Sequence, residues 1–314
     1  MKTIDIVLPV YNEEEGITAF NEALFSVLGT LAGRYRFRAI YVVDRCEDRS
    51  FEVLCGLAER NPAITVLQLS RRFGHQMSLV AGMDESRGDA LIMMDCDQQH
   101  PPRIIPELLH QFERGYDVVS THRRYDTRTS WMKRVTSRLF YYIQNRLSPV
   151  EIPQGSADFR LISRKVVSLF QASIREQEQF LRGLFVWVGF KATTVLVDSP
   201  PRTAGVTKYD VWRLIQFSIA GIISFSRTPL RLATLLGVLF SFLSLVYGVV
   251  LTVSYFSDGS RPAGYTSLAV LLLLLGGLQL LVLGVLGEYI GSIHAEVKKR
   301  PLYIVSDVFQ GEQK

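Results

Sequence analysis

Short, almost unbroken apolar runs alternate with longer segments of helical period through the first part of the chain. Residues 4–10, 37–43, 64–69, 90–94 and 117–121 read as strands. Their lack of in/out alternation is that of strands covered on both faces. Helices are expected from the acids Glu13, Glu14 and Glu15 to about residue 31, then from Ser50 as N-cap, over 74–86, and over 102–114. The three acids are placed in the first turn of the first helix, where they favour the positive end of the helix dipole. Strands alternating with helices of this length predict βαβ units and a mostly parallel sheet. Three of the strands end in polar punctuation: Asn12 with its acids, Asp44 to Asp48, and Asp95 to His100. That gathers carboxylates along one edge of the sheet.

The pattern changes beyond residue 130. Residues 130–146 carry Lys133, Arg134 and Arg138 among Trp131, Val135, Leu139 and Tyr142. This predicts a basic amphipathic helix, either an ordinary surface helix or one lying against lipid headgroups. The segment 155–160 interrupts two apolar stretches and reads as a break. A short strand near 193–197 leads into 200–209, whose Arg202, Gly205, Thr207 and Lys208 suit a flexible phosphate clamp or a plain linker. Residues 211–226 are apolar with Arg213 as the one charge, too short to span a bilayer, and read as an interfacial helix. Residues 232–256 and 266–287 carry no charge. Each is long enough to cross a hydrocarbon layer of about 30 Å.

Composition fits that division. The hydrophobic fraction is 48% and the net charge is +5, with basic residues beside the long apolar segments. No basic stripe interleaved with aromatics appears, so a membrane surface is expected as a partner and nucleic acid is not. Arg227 and Arg231 flank one side of the hairpin and Lys298, Lys299 and Arg300 the other. The positive-inside rule then puts both chain ends in the cytoplasm and the short connecting loop outside. Cys46, Cys55 and Cys96 lack metal-type spacing and fit a reducing compartment. The apolar run at the N-terminus is too short for a signal peptide.

The candidate chemistry centres on Met93 to Pro102, MMDCDQQHPP. An apolar strand delivers Asp95 at its C-terminal end, Asp97 follows, and the Gln99 amide lies two residues further on. These are hard oxygen ligands for Mg²⁺ or Mn²⁺. A divalent ion there would hold a diphosphate and neutralise its charge as it leaves. A solvated acidic turn is the bland alternative.

Taken together, VLPVYNEEEGI, LSRRFGHQMSLVAGMDESRGDALIMMDCDQQHPP, ADFRLISRKVV, FLRGLFVWVGF, PRTAGVTKY and LGEYIGSIHAEVKKRPLYIV resemble the polyisoprenyl-phosphate glycosyltransferases. These are family 2 glycosyltransferases of the dolichol-phosphate mannose synthase type. The chain is most similar to the bacterial undecaprenyl-phosphate branch with a C-terminal two-helix hairpin. The resemblance implies a GT-A type α/β domain, Rossmann-like with a mostly parallel sheet, over 1–210. It implies an interfacial helix over 211–229, a transmembrane hairpin over 230–290 and a cytoplasmic tail over 291–314. Pro9, Tyr11, Asn12, Glu13 and Asp44 would line the nucleotide-sugar pocket, with Arg202 and Lys208 closing over the phosphates. Asp95 and Asp97 would be the D-x-D pair, with Asp97 and Gln99 nearest a Mg²⁺ or Mn²⁺ ion. Asp158 would face the reacting centre. Arg123, Lys133 and Arg134 would receive the lipid phosphate.

The reaction so implied is inverting transfer of a sugar from a nucleotide sugar, expected to be a UDP-sugar, to undecaprenyl phosphate or a similar polyisoprenyl phosphate. The implied setting is the bacterial inner membrane, and the implied assembly is a homo-oligomer such as a tetramer. Two departures from the family pattern stand out. Arg45-Cys46 replaces the usual Gly-Ser after the second strand, and Gln98-Gln99 replaces Leu-Gln after the acids. A processive polysaccharide synthase is a rival reading, but Gln179-Phe180-Leu181-Arg182 is followed by Gly183 where that signature has Trp. A non-catalytic membrane adaptor or translocation subunit is the other rival, and the retained Asp44, Asp95, Asp97 and Asp158 argue against it.

Overall fold

The computed structural model describes residues 1–97, 100–123, 156–177, 179–197, 228–258 and 264–311. The strands are β1 (Lys2–Val10), β2 (Tyr35–Val43), β3 (Ile64–Leu69), β4 (Ala90–Met93), β5 (Val118–Arg123), β6 (Ser156–Ser163), β7 (Ala192–Val197) and β8 (Val305–Gln310). The helices beside them are α1 (Ile17–Leu31), α2 (Ser50–Arg60), α3 (His75–Glu85), α4 (Ile105–Glu113), α5 (Arg164–Ala172) and α6 (Leu181–Trp187).

The sheet runs β7-β5-β6-β4-β1-β2-β3-β8. Strands β1 to β4 are parallel, with β1 at their centre between β2 and β4. The chain therefore leaves β1 in one direction along the sheet and later returns to its other side. Between β1 and β4 lies a topological switch point, outside whose carboxyl ends a crevice opens for a ligand. Ile4, Ile6, Val7, Leu8 and Val10 of β1 are buried, as expected for a strand covered on both faces. One close approach depends on glycine. A Cβ on Gly82 of α3 would collide with the branched Val7 side chain of β1.

Asp5 is the polar exception in that strand. It is 1% exposed and accepts from Arg38 Nε and Nη2, both at 3.0 Å. Ser86 Oγ and the amides of Arg87 and Gly88 donate to its Oδ2 at 2.9, 2.7 and 2.8 Å. The carboxylate thus clamps the turn that feeds β4.

Four local expectations need correction. Glu13, Glu14 and Glu15 precede α1, which begins at Ile17; Gly16 and Ile17 donate to Glu13 O at 3.0 and 2.9 Å and close a turn first. Ser50 is the first residue of α2 and not its cap. Asp48 Oδ1 accepts from the Ser50 amide at 3.0 Å and hydroxyl at 2.6 Å, doing the capping from two residues upstream. Residues 156–160, part of the segment expected as a break, open strand β6, which lies antiparallel between β4 and β5. Residues 291–314, read as a tail, contain β8, which pairs antiparallel with β3 at the sheet edge. Its approach is pinned where Asp84 accepts from Tyr303 Oη at 2.7 Å and from Arg175 Nη1 at 2.7 and 2.8 Å.

A second unit contains α7 (Thr228–Asp258) and α8 (Tyr265–Val297). These helices have 31 and 33 residues. At about 1.5 Å per residue each is longer than the roughly 30 Å hydrocarbon layer. Large apolar side chains are exposed along both, including Phe242, Tyr247, Leu272 and Leu280. The basic segment 130–146, the loop 200–209 and the segment 211–226 lie outside the described residues.

Candidate active site

Four strand ends converge at the switch point. Asp44 follows β2 and Asn12 follows β1, while Asp95 and Asp97 follow β4. Asp158 arrives on β6, whose register with β4 pairs Met93 with Arg160. Continuing that register by two residues sets Asp158 across from Asp95. An antiparallel strand inserted beside β4 thus brings together two acids far apart in sequence.

The loops after β1 and β2 interlock. The Asn12 amide donates to Cys46 Sγ at 3.2 Å, and Glu47 N donates to Asn12 Oδ1 at 2.9 Å. Glu13 N donates to Ser50 Oγ at 2.9 Å and Glu14 N to Asp48 Oδ2 at 3.0 Å. Asn12 and Arg45 hold positive φ, 54° and 43°. That conformation favours glycine, and the Arg45 side chain there costs about 1 kcal/mol. Cys46 accepts a backbone hydrogen bond through sulfur. Tyr11 lies beneath the Arg72 guanidinium, 4.0 Å from ring centre to Cζ. Pro9 is buried in β1, beside Val42.

Asp44 is buried, and its carboxylate is spent on the chain itself. Phe73 N donates to Oδ1 at 2.7 Å and Gly74 N to Oδ2 at 2.8 Å. Gly74, at φ 95°, then turns the chain into α3. His75, the first residue of that helix, brings Nε2 to 2.7 Å from Asp95 Oδ1. On the other side of Asp95, its own amide donates to His100 Nδ1 at 2.9 Å. Because Nδ1 accepts that proton, the 3.4 Å approach of Nδ1 to Asp95 Oδ2 is not a charged pair. The His100 ring is buried against Phe159, 5.4 Å between centroids.

Burial works to raise Asp95, but the His75 hydrogen bond and charge outweigh it and hold the carboxyl below its usual range; nearby Asp158 pushes the other way. Asp95, Asp97 and His100 offer donor atoms within 4.8 Å of one another. Two carboxylate oxygens are hard ligands that fit a divalent cation such as Mg²⁺ or Mn²⁺, while His100 Nδ1 is already taken by the Asp95 amide. Gln99 lies outside the described residues.

Asp158 is gripped on both oxygens by Arg182, Nε to Oδ1 at 2.9 Å and Nη2 to Oδ2 at 2.6 Å. Arg160, fully buried and 4.7 Å from the Phe185 ring centre, adds a contact to Oδ1 at 3.4 Å. Burial alone would raise Asp158, yet the Arg182 hydrogen bond and charge, joined by Arg160, hold it far below the ordinary carboxylate range. Burial lowers Arg160 to about 10, with Asp158 opposing. An ionised carboxylate so strongly stabilised is a weak proton acceptor at neutral pH. The arrangement suits holding Arg182 in place.

The structure therefore brings Tyr11, Asn12, Glu13, Asp44, Asp95, Asp97 and Asp158 to one end of the sheet. Arg123 closes β5 at its backbone, paired with Val197. Lys133, Arg134, Arg202 and Lys208 lie outside the described residues. Sequence reasoning gave no role to His75, His100, Arg160 or Arg182. His75 and His100 stand inside the motifs, and Arg182 enters the sequence reading only through the processive signature.

Comparison with known proteins agrees with this architecture. The description "Glycosyl transferase family 2" matches residues 5–170 and "GtrB C-terminal hairpin" matches residues 228–293. An uncharacterised glycosyltransferase of Synechocystis sp. is 41% identical over 306 residues, covering 98% of this chain and 95% of that protein. An uncharacterised glycosyltransferase of Bacillus subtilis is 39% identical, covering 98% and 95%. The SfII prophage-derived bactoprenol glucosyl transferase of Shigella flexneri is 36% identical over 310 residues, covering 98% and 99%. With a GT-A type sheet, converging acids and the paired apolar helices, the chain belongs to the family 2 glycosyltransferases, in the polyprenyl-phosphate group that carries the GtrB-type C-terminal hairpin.

Proposed function

We propose that the protein transfers a sugar from a UDP-sugar to undecaprenyl phosphate, at the cytoplasmic face of a bacterial inner membrane, with inversion at the anomeric carbon. The observation that carries this reading is Asp95 and Asp97 beside an Asp158–Arg182 pair at the switch point, in a chain that also holds two membrane-length helices. The name of the Shigella relative makes glucose the first sugar to try.

The chemistry follows from the acceptor. A phosphate monoester is already anionic at neutral pH, so its oxygen attacks the anomeric carbon without a strong base. A carbon–oxygen bond forms as the bond to the diphosphate breaks, and the electron pair leaves on the nucleoside diphosphate. Asp158, weakly basic, is proposed to fix Arg182 toward the charge in transfer. Tyr11, Asn12 and Glu13 frame the nucleoside end, with Pro9 beneath and Asp44 shaping the pocket through the Phe73 and Gly74 amides that it holds, and Arg202 and Lys208 are proposed to close on the phosphates. Asp95 and Asp97, with Gln99, would hold Mg²⁺ or Mn²⁺, which when bound neutralises the leaving diphosphate. Arg123, Lys133 and Arg134 are proposed to receive the lipid phosphate, because guanidinium groups grip phosphate through paired hydrogen bonds and a lysine ammonium adds a point charge. Family likeness supports a homo-oligomer.

The test is a turnover screen. Purified protein is mixed with undecaprenyl phosphate, Mn²⁺ and each of several UDP- and GDP-sugars, and both nucleotide release and lipid product are followed. Lipid-dependent UDP release with a sugar-phosphate lipid product is expected. Nucleotide binding without any release would favour the adaptor reading.

A further inference from the structure

We infer that Gln76 and His75 form a relay that sets the orientation of Asp95, and that both are positioning residues of the site. This rests on the proposal that Asp95 helps to hold a divalent cation.

Each hydrogen bond in the relay assigns the next. The Leu181 backbone amide, at the start of α6, meets Gln76 Oε1 at 3.4 Å. A backbone N–H can only donate, so this end of the Gln76 amide is the oxygen. The other end, Nε2, then faces His75 Nδ1 at 3.3 Å. An amide nitrogen is a donor, so Nδ1 is the accepting nitrogen of the ring. The ring proton is left on Nε2, which donates to Asp95 Oδ1 at 2.7 Å. The chain of contacts leaves no choice of tautomer when the ring is neutral.

Two features give the relay a purpose beyond local packing. The His75 side chain is 42% exposed and that of Asp95 26%, so the contact faces the site and is not sealed in the core. The same turn of α6 that starts the relay also supplies Arg182, which clamps Asp158. One helix start thereby orients both carboxylates, Asp158 directly and Asp95 through two side chains. The relay is anchored from behind by Asp44, which fixes the amides of Phe73 and Gly74 just before His75. Outer partners that orient a ligating carboxylate are worth about 10–100-fold in metal affinity.

The experiment measures Mn²⁺ binding to the full chain in detergent, without nucleotide, by the spin-resonance signal of free Mn²⁺. His75→Leu is expected to weaken binding by about 10–100-fold. His75→Gln, whose side-chain N–H can take the place of Nε2–H, is expected to recover most of that loss. In turnover, kcat should fall while KM for the lipid phosphate stays near wild type. Gln76→Leu serves where His75→Leu does not fold. It keeps the imidazole but frees its orientation, and a loss near the low end, about tenfold, is expected. Wild-type affinity in His75→Leu or in Gln76→Leu overturns the relay, as does a Gln variant no better than Leu. Absence of Mn²⁺ binding in the wild type would instead overturn the metal proposal, and the relay with it.

Discussion

Asp97 and Asp5 show what one carboxylate does in two settings. Asp97 is exposed beside Asp95 at the end of β4, where it would meet the donor diphosphate. Asp97→Ala is expected to reduce kcat/KM by about 10²-fold or more, the scale of removing one group that stabilises developing charge. EDTA should do the same to the wild type, and excess Mn²⁺ should reverse it. Full turnover in EDTA would contradict the metal-dependent reading. Asp5 is buried with Arg38, and its role is stability. Burial raises its pKa, but the hydrogen bonds from Arg38 and from the Gly88 and Arg87 amides, with the Arg38 charge, outweigh that and lower it. A lowered folded-state value means the contribution is full above the unfolded carboxylate value of about 3.9. It is lost as pH falls through the lower folded value. Asp5→Ala should therefore cost about 3 kcal/mol near pH 7, the scale of leaving a buried partner uncompensated. In denaturant titrations, the gap between variant and wild type should narrow below about pH 4. A gap independent of pH would mean that packing, and not charge, is what Asp5 supplies.

At the level of elements, α3 is the part that ties the site to the sheet. Its first residue touches Asp95, its middle lies against β1, and Asp84 near its end receives Tyr303 and Arg175. Gly82 permits the close approach to β1. Gly82→Ala should destabilise the chain by about 1–3 kcal/mol through overpacking against Val7, a side chain stiff at χ1. Thermal unfolding in detergent measures this. A melting midpoint equal to wild type would show that α3 can shift outward without cost.

For the whole molecule, the proposed topology has two supports. Basic residues flank both outer ends of the hairpin. Strand β8 lies beyond α8 and pairs with β3, so the chain must return to the side it left, which two crossings achieve. A reporter fused after Lys314 should read cytoplasmic, and one inserted near Gly259 should read external. The reverse pattern would put the site on the side opposite to cytoplasmic sugar nucleotides and remove the proposed function.

The parallel half of the sheet, the two long apolar helices and the Asp95–Asp97 stretch are legible in the residues alone. Each is written in local terms: buried strands as apolar runs, membrane-length helices as long uncharged segments, and the acids as punctuation after a strand. The remaining features arise only as the sheet assembles. β6 was hidden because its apolar pattern is broken by Asp158 and Arg160, charges that a buried strand tolerates only when they are paired, as Asp158 is with Arg182 and Arg160. β8 was hidden because an edge strand with exposed residues carries little hydrophobic signal, and its partner β3 lies far away in the chain. The His75–Asp95 and Asp158–Arg182 contacts depend on strand order and register, which no local pattern encodes. Burial on both faces can be read from one segment, whereas a hydrogen bond between segments exists only once the sheet has assembled them.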